Sequence, residues 1–221
     1  MALLSEEHVL ATLYVRQSTA FARPTLRTID LVLEMAGCQV ADLTGIVVNT
    51  GPGAFTGLRV GLALAHGLAL ASDTPCVGCT AFEALVALVP EWDGMLCPVL
   101  EARRGEVYAA FYRQQGGVIQ QQTPGMVLTP GALCAQVTER TLFLGSGVPV
   151  YQEELVAILG DWALCRDTGV EEVGLAVSLA RLGGVRIRAT APEMLPVPQP
   201  LYIRAADARL PRHGGYSATQ E

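Results

Sequence analysis

Gly51-Pro-Gly-Ala-Phe-Thr-Gly57 separates two apolar runs of different texture, and no other segment constrains the fold as much. Before it, Gly45-Ile-Val-Val-Asn-Thr50 is short and β-branched, as a buried strand should be. After it, the residues from Leu58 to Ala71 are apolar around most of a helical circumference, which predicts a helix from about Gly57 to Ser72. Glycines at such a strand-to-helix transition can present backbone N–H groups to an anion, with the helix dipole helping. Gly51, Gly53 and Thr56 are the candidate contacts for an anion or a nucleotide. The alternative is a structural turn, in which glycine and proline let the chain reverse and let the helix press closely on the sheet.

Lysine bears on that choice by its absence. All fifteen basic residues are arginine. A GxxxxGK[ST] phosphate loop, a Schiff-base lysine and a lysine general base are therefore excluded. The net charge of −6 also provides no global basic field for holding a nucleic acid.

The predicted helix carries small residues on two ridges, Gly57/Gly61/Ala65 and Ala63/Gly67/Ala71. Small residues every four positions let another element approach closely. Mid-helix Gly61 and Gly67 each cost about 1 kcal/mol relative to alanine, a cost that close packing offsets. Two explanations stay open, burial on both sides within the domain or contact with another chain.

Apolar residues make up 51% of the 221 residues and charged ones 16%, enough to bury a sizeable core in one large domain or two small ones. His8 to Arg16 reads as a strand. Pro24 opens a helix to about Ala36, with Leu26, Ile29, Leu33 and Ala36 on one stripe and Gly37 ending it. Thr74–Cys79 reads as a strand and Ala81–Val89 as a helix. This β-α-β-α-β-α order predicts parallel strands with right-handed crossovers. The texture changes near Pro90–Gly94, so the expected division is a first half over 1–93, a second over 94–205 and a polar tail over 206–221.

In the second half, Met95–Ala102 and Glu106–Tyr112 predict a hairpin turning at Arg103-Arg104-Gly105, with a third strand at Val118–Gln122. A helix from about Pro130, a strand at Thr141–Leu144, and helices at Pro149–Leu159 and Glu171–Leu182 follow. Glu101, Arg103, Arg104 and Glu106 cluster at the hairpin tip. A carboxylate at a strand end can hold magnesium or orient a water, and it can equally belong to a solvated turn. Gly145-Ser-Gly147 is a second short glycine turn.

The six cysteines, at 38, 76, 79, 97, 134 and 165, include one Cys76-Val-Gly-Cys79 pair with no second pair to match it. Buried structural thiols are expected rather than zinc or redox chemistry. The three histidines are far apart and suggest no metal site. Ser5, Glu6 and Glu7 interrupt any export signal, and the run from Leu58 to Ala71 is too short to span a bilayer, so a soluble cytoplasmic protein is expected.

Three segments, Gly51-Pro-Gly-Ala-Phe-Thr-Gly-Leu-Arg-Val-Gly61, Glu101-Ala-Arg-Arg-Gly-Glu-Val-Tyr108 and Pro200-Leu-Tyr-Ile-Arg204, occur in this order. Together they resemble the bacterial TsaB family, also called YeaZ, over nearly the whole chain except the tail. The resemblance implies an α/β fold of two ribonuclease-H-like halves, of the actin and Hsp70 ATPase type. It implies a non-catalytic role in forming N6-threonylcarbamoyladenosine beside the anticodon of tRNAs reading ANN codons. The implied partners are a TsaD-like catalytic subunit and a TsaE-like ATPase, with threonylcarbamoyl-adenylate supplied by TsaC or a relative. Self-dimerisation through the same surface is a further implication, and tRNA is reached only through the complex. No cofactor of its own is implied, although ATP or ADP can sit at the junction with the partner.

Pairing in the family uses the two helices of the first half, here about Thr25–Ala36 and Gly57–Ser72. The expected contacts are Leu26, Ile29, Leu33, Leu58, Arg59, Leu62, Ala65 and His66. Two departures from the family pattern stand out. Met1-Ala-Leu-Leu4 looks like the end of the family's second strand, so the first half is expected to lack its N-terminal strand through a misplaced start or a truncation. Glu101 stands where the family usually has aspartate, which weakens any inherited metal or nucleotide role. The rival expectation is an enzyme in its own right, phosphotransferase-like or peptidase-like, on the same fold.

Overall fold

The computed structural model describes residues 1–6, 8–15, 22–166 and 171–204. The first half opens with strands β1 (Ala2–Ser5) and β2 (His8–Thr12), an antiparallel pair with a bulge at Leu3/Leu4, followed by helix α1 (Ala22–Ala36). Strand β3 (Ile46–Asn49), helix α2 (Phe55–Ser72) and strand β4 (Cys76–Cys79) then form a βαβ unit with β3 and β4 parallel. The prediction of parallel strands throughout this half is therefore corrected. The strand beginning at His8 pairs with its neighbour across a tight turn at Glu6, a non-glycine residue with φ 53°. Helix α3 (Ala81–Val86) starts at a capping box, with Thr80 Oγ1 accepting from Glu83 N at 3.1 Å and Glu83 Oε2 accepting from Thr80 N at 2.7 Å.

The second half is built on the long strand β5 (Gly94–Glu101). The predicted return strand Glu106–Tyr112 is split into β6 (Val107–Ala109) and β7 (Tyr112–Gln115). The break falls at Phe111, whose backbone is diverted to Thr123 Oγ1 and Gln122 N. Strands β8 (Val118–Gln121) and β9 (Met126–Leu128) extend β7 and β6 respectively, and the short helix α4 (Pro130–Cys134) follows. Strand β10 (Thr141–Leu144) pairs in parallel with β5 and with β11 (Ala163–Arg166), with helix α5 (Val148–Leu159) between them. All four residues of β10 are buried because the sheet is covered on both faces. Cys97, Val99, Phe143, Leu133 and Leu155 fill one side. Leu96, Leu142, Leu144 and Tyr112 fill the other, against Phe82, Leu85 and Val86 of α3.

The final helix, α6 (Glu171–Ala189), runs seven residues beyond the predicted end at Leu182 and crosses back to pack on β1, β2, β3 and β4. Gly183 permits this, since a Cβ there would lie 2.3 Å from Val47 Cγ2. Gly45 is likewise closed off by Ile187, at 2.3 Å. The two halves thus exchange helices, α3 covering the second sheet and α6 the strands of the first. A clean division near residue 93 therefore fails as a packing boundary, because α6 sits on the first half. The predicted polar tail lies outside the described residues.

Arg186 of α6 fixes this crossing. Its guanidinium donates to the Gly78 carbonyl at 2.6 Å, contacts Cys79 Sγ at 3.0 Å and pairs with Glu83. Cys79 is 1% exposed, and burial, partly opposed by Arg186, pushes its thiol up to about 11. All six cysteines are free thiols, and no three metal-ligating side chains gather among the described residues.

Candidate functional site

The glycine turn is a junction of backbone hydrogen bonds. Thr50 N donates to Cys79 O at 2.9 Å, Gly51 N to Asn49 Oδ1 at 2.9 Å, and Ala81 N to Gly51 O at 2.7 Å. Gly51 is buried with φ 121°, and a Cβ there would stand 3.0 Å from Leu201 O, so glycine is required on both counts. The Gly51–Pro52 peptide is cis. Both backbone groups of Gly51 are engaged, which corrects its assignment as an anion contact. Gly53 and Thr56 are exposed at the start of α2, where Ala54 provides no side-chain cap.

The segment Pro200–Arg204 is a strap across the molecule. Leu201 N donates to Thr50 O at 2.8 Å. Tyr202 lies 5.0 Å from Phe55, centroid to centroid, and accepts from Arg59 Nε at 3.0 Å. The Arg59 guanidinium sits 4.0 Å over the Phe55 ring. Ile203 enters the core beside Phe82, and Arg204 pairs with Glu106, also donating to Arg103 O. The strap therefore contacts both of the other motif segments, the glycine turn with the start of α2 and the hairpin tip. Glu101 is exposed, and its backbone N–H donates to Ser146 Oγ at 3.4 Å. That bond ties Glu101 to the second glycine turn, where Gly145 and Gly147 press on Val99. No described contact brings Glu101 to Gly53 or Thr56.

Helix α2 resolves into two faces. Leu58, Leu62 and Ala65 are buried, and Leu62 and Ala65 pack on Val48 of β3. Leu33 of α1 is buried as well. These four expected contact residues point into the chain, which corrects their assignment to an outer surface. Apolar spacing on a helix marks its core-facing side first. Ile29 and His66 are half-buried, and His66 Nε2 has no hydrogen-bond partner. Leu26 and Arg59 are exposed. The outward stripe of α2 is Thr56, Arg59, Ala63, Gly67 and Leu70, with Leu70 88% exposed. Leu31 and Met35 add exposed apolar surface on α1, which packs beside α2. The ridge Ala63/Gly67/Ala71 was visible in the sequence, but which ridge faces outward depends on where β3 lies. The expectation that the run from Leu58 to Ala71 is too short to span a bilayer is corrected, because α2 starts earlier, at Phe55, and is by length and composition long and apolar enough to cross a membrane. It packs on β3 within a βαβ unit.

Two halves that share a ribonuclease-H-like plan and exchange helices define the actin and Hsp70 class of fold, and comparison with known proteins narrows this. Residues 16–209 match the family model described as TsaD, tRNA N6-adenosine threonylcarbamoyltransferase. The chain is 31% identical to the tRNA threonylcarbamoyladenosine biosynthesis protein TsaB of Bacillus subtilis, over 72% of this chain and 71% of the relative. It is 30% identical to the TsaB of Escherichia coli, over 75% of this chain and 66% of that protein. Among solved structures, YeaZ from Pseudomonas aeruginosa superposes with a TM-score of 0.69 at 24% identity, covering 91% of this chain and 92% of its own. The chain belongs to the TsaB family.

Proposed function

We propose that this chain is a non-catalytic subunit that supports a TsaD-like catalytic subunit in forming N6-threonylcarbamoyladenosine beside the anticodon of tRNAs reading ANN codons. The names of its relatives give the pathway, and the observation that carries the role is the outward stripe of α2. Apolar and small residues at Ala63, Gly67 and Leu70, with Leu26, Leu31 and Met35 alongside, form an exposed face suited to close helix packing. Arg59, held by Phe55 and Tyr202, sits at its N-terminal end as a pre-ordered polar contact. A second copy of the chain competes for the same face. A TsaE-like ATPase joins the assembly, ATP or ADP occupies the junction with the partner, and the setting is the cytoplasm. The acidic chain leaves tRNA to be held by the complex.

Reconstitution tests this role. With the TsaD-like and TsaE-like subunits, threonylcarbamoyl-adenylate, ATP and tRNA, nucleoside analysis should show the modification only when this chain is added. Modification by the chain alone, or an unchanged rate without it, would overturn the proposal.

A further inference from the structure

Helix α2 contains no acidic residue and a single arginine, Arg59. On an otherwise apolar face, one charge decides more about partner choice than its neighbours do, because it must be matched once water leaves. Arg59 lies in line with Ala63, Gly67 and Leu70, at the N-terminal end of the outward stripe. Phe55, one helical turn earlier, supports the guanidinium plane at 4.0 Å, and Tyr202 Oη accepts from Nε at 3.0 Å. Those contacts occupy one face of the group and one N–H. The other four of its N–H donors, on Nη1 and Nη2, make no hydrogen bond among the described residues, and no described carboxylate pairs with Arg59.

Tyr202 is itself fixed by the residues beside it. Leu201 N donates to Thr50 O at 2.8 Å, which ties the strap to the end of β3. Ile203 enters the second-half core, where a Cβ on Gly125 would lie 2.6 Å from Ile203 Cδ1. With both neighbours seated inward, the Tyr202 ring is turned out onto Phe55, 5.0 Å away centroid to centroid.

We propose that Tyr202 is a positioning residue for partner docking, holding Arg59 so that its two Nη groups receive a carboxylate of the TsaD-like subunit. The inference rests on docking at the outward stripe of α2 and adds the chemistry that the partner brings there. A planar fork already aimed by a ring and a hydroxyl gives up little side-chain freedom on pairing. It matches a carboxylate through two parallel bonds. A phosphate is the other oxyanion that fits the fork, but a lone arginine followed by Ala63, Gly67 and Leu70 suits an apolar protein face and not a polyanion. A second copy of this chain has no acid on α2 to offer, and only Asp30 and Glu34 on α1.

The test measures the affinity of the TsaD-like subunit for Arg59→Ala, Arg59→Lys, Tyr202→Phe and the double variant Arg59→Ala/Tyr202→Phe across a salt series, with Gly67→Arg alongside. Arg59→Ala should weaken binding about 20-fold and flatten its salt dependence. Arg59→Lys should restore the salt dependence but not the affinity, since a point charge cannot make the paired bonds. Tyr202→Phe should weaken binding about fivefold when Arg59 is present and leave it unchanged in the Arg59→Ala background. Equal effects of Tyr202→Phe in both backgrounds would overturn the positioning role. Binding of Arg59→Ala within about threefold of the unmodified chain, while Gly67→Arg binds poorly, would overturn the carboxylate contact and leave the docking face standing. Full binding by Gly67→Arg would overturn both. An Arg59→Ala defect seen only in retention of tRNA by the complex, or only in self-association of the chain, would overturn the proposal in favour of a phosphate or of a second copy.

Discussion

Arg59 donates its Nε–H to Tyr202 Oη at 3.0 Å, joining residues 143 positions apart in the sequence. The first turn of α2 and the C-terminal strap are thereby one unit, with the Phe55 ring sandwiched into the contact. All three groups are exposed, so water competes for the polar part of the interaction. Tyr202→Phe should therefore cost less than about 1 kcal/mol, because the ring contacts survive. Tyr202→Ala should cost about 1–2 kcal/mol by removing the stacking on Phe55 as well. Urea unfolding of the two variants checks the order, and equal losses would show that the hydroxyl alone carries the contact.

Glycines in the helices should respond in opposite directions. Gly183→Ala places a methyl 2.3 Å from Val47 Cγ2, forcing α6 off β3. The loss should be about 1–3 kcal/mol despite alanine's better helix propensity. Gly61 has open space around its position, so the close packing expected there is not made within the chain, and Gly61→Ala should stabilise by roughly 0.5–1 kcal/mol. Thermal melts of both variants test this, and a stabilised Gly183→Ala would contradict the close seating of α6.

The same glycine shows what the sequence conceals. Gly183-Gly184 carries the local signature of a helix end, yet the helix continues, and glycine stands there because Val47, 136 positions earlier, occupies the space a side chain would need. Local periodicity placed most helices and the strand Thr141–Leu144, since those patterns record burial against a sheet. It missed β9 and β11, which are short and have no alternation to read. The exchange of α3 and α6 has no local signature. At the candidate site, the three motif segments were legible and the strap does contact the other two. The assignments to Leu33, Leu58, Leu62 and Ala65 failed because apolar spacing reports the inward face, while the outward face consists of residues such as Gly67 that score weakly.

Cys79 gives a pH dependence with a definite sign. Burial raises its thiol from 9.0 to about 11, so the folded state holds the proton more tightly than the unfolded state. The contribution to stability is fully present below about pH 9 and is lost as pH rises to about 11. Unfolding midpoints should fall across that window, and Cys79→Ser should flatten part of the fall. Iodoacetamide at pH 8 should leave Cys79 unmodified in the native chain, whereas rapid labelling would contradict its burial.

Thr80→Ala removes the hydroxyl that caps α3 and should cost about 1 kcal/mol. Because α3 serves the second sheet, the amides of Ala84 and Leu85 should lose exchange protection along with it. A loss confined to β4 would contradict the exchange of helices.

The central claim is that the outward stripe of α2 receives the TsaD-like subunit. The most direct measurement is the affinity of that subunit for Gly67→Arg and Leu70→Arg, two substitutions at exposed positions that leave the core intact. Each should weaken binding by about 100-fold, or about 2.7 kcal/mol, without lowering the melting temperature, which replacing the mid-helix Gly67 should if anything raise. Binding within about threefold of the unmodified chain, for both variants, would contradict the claim.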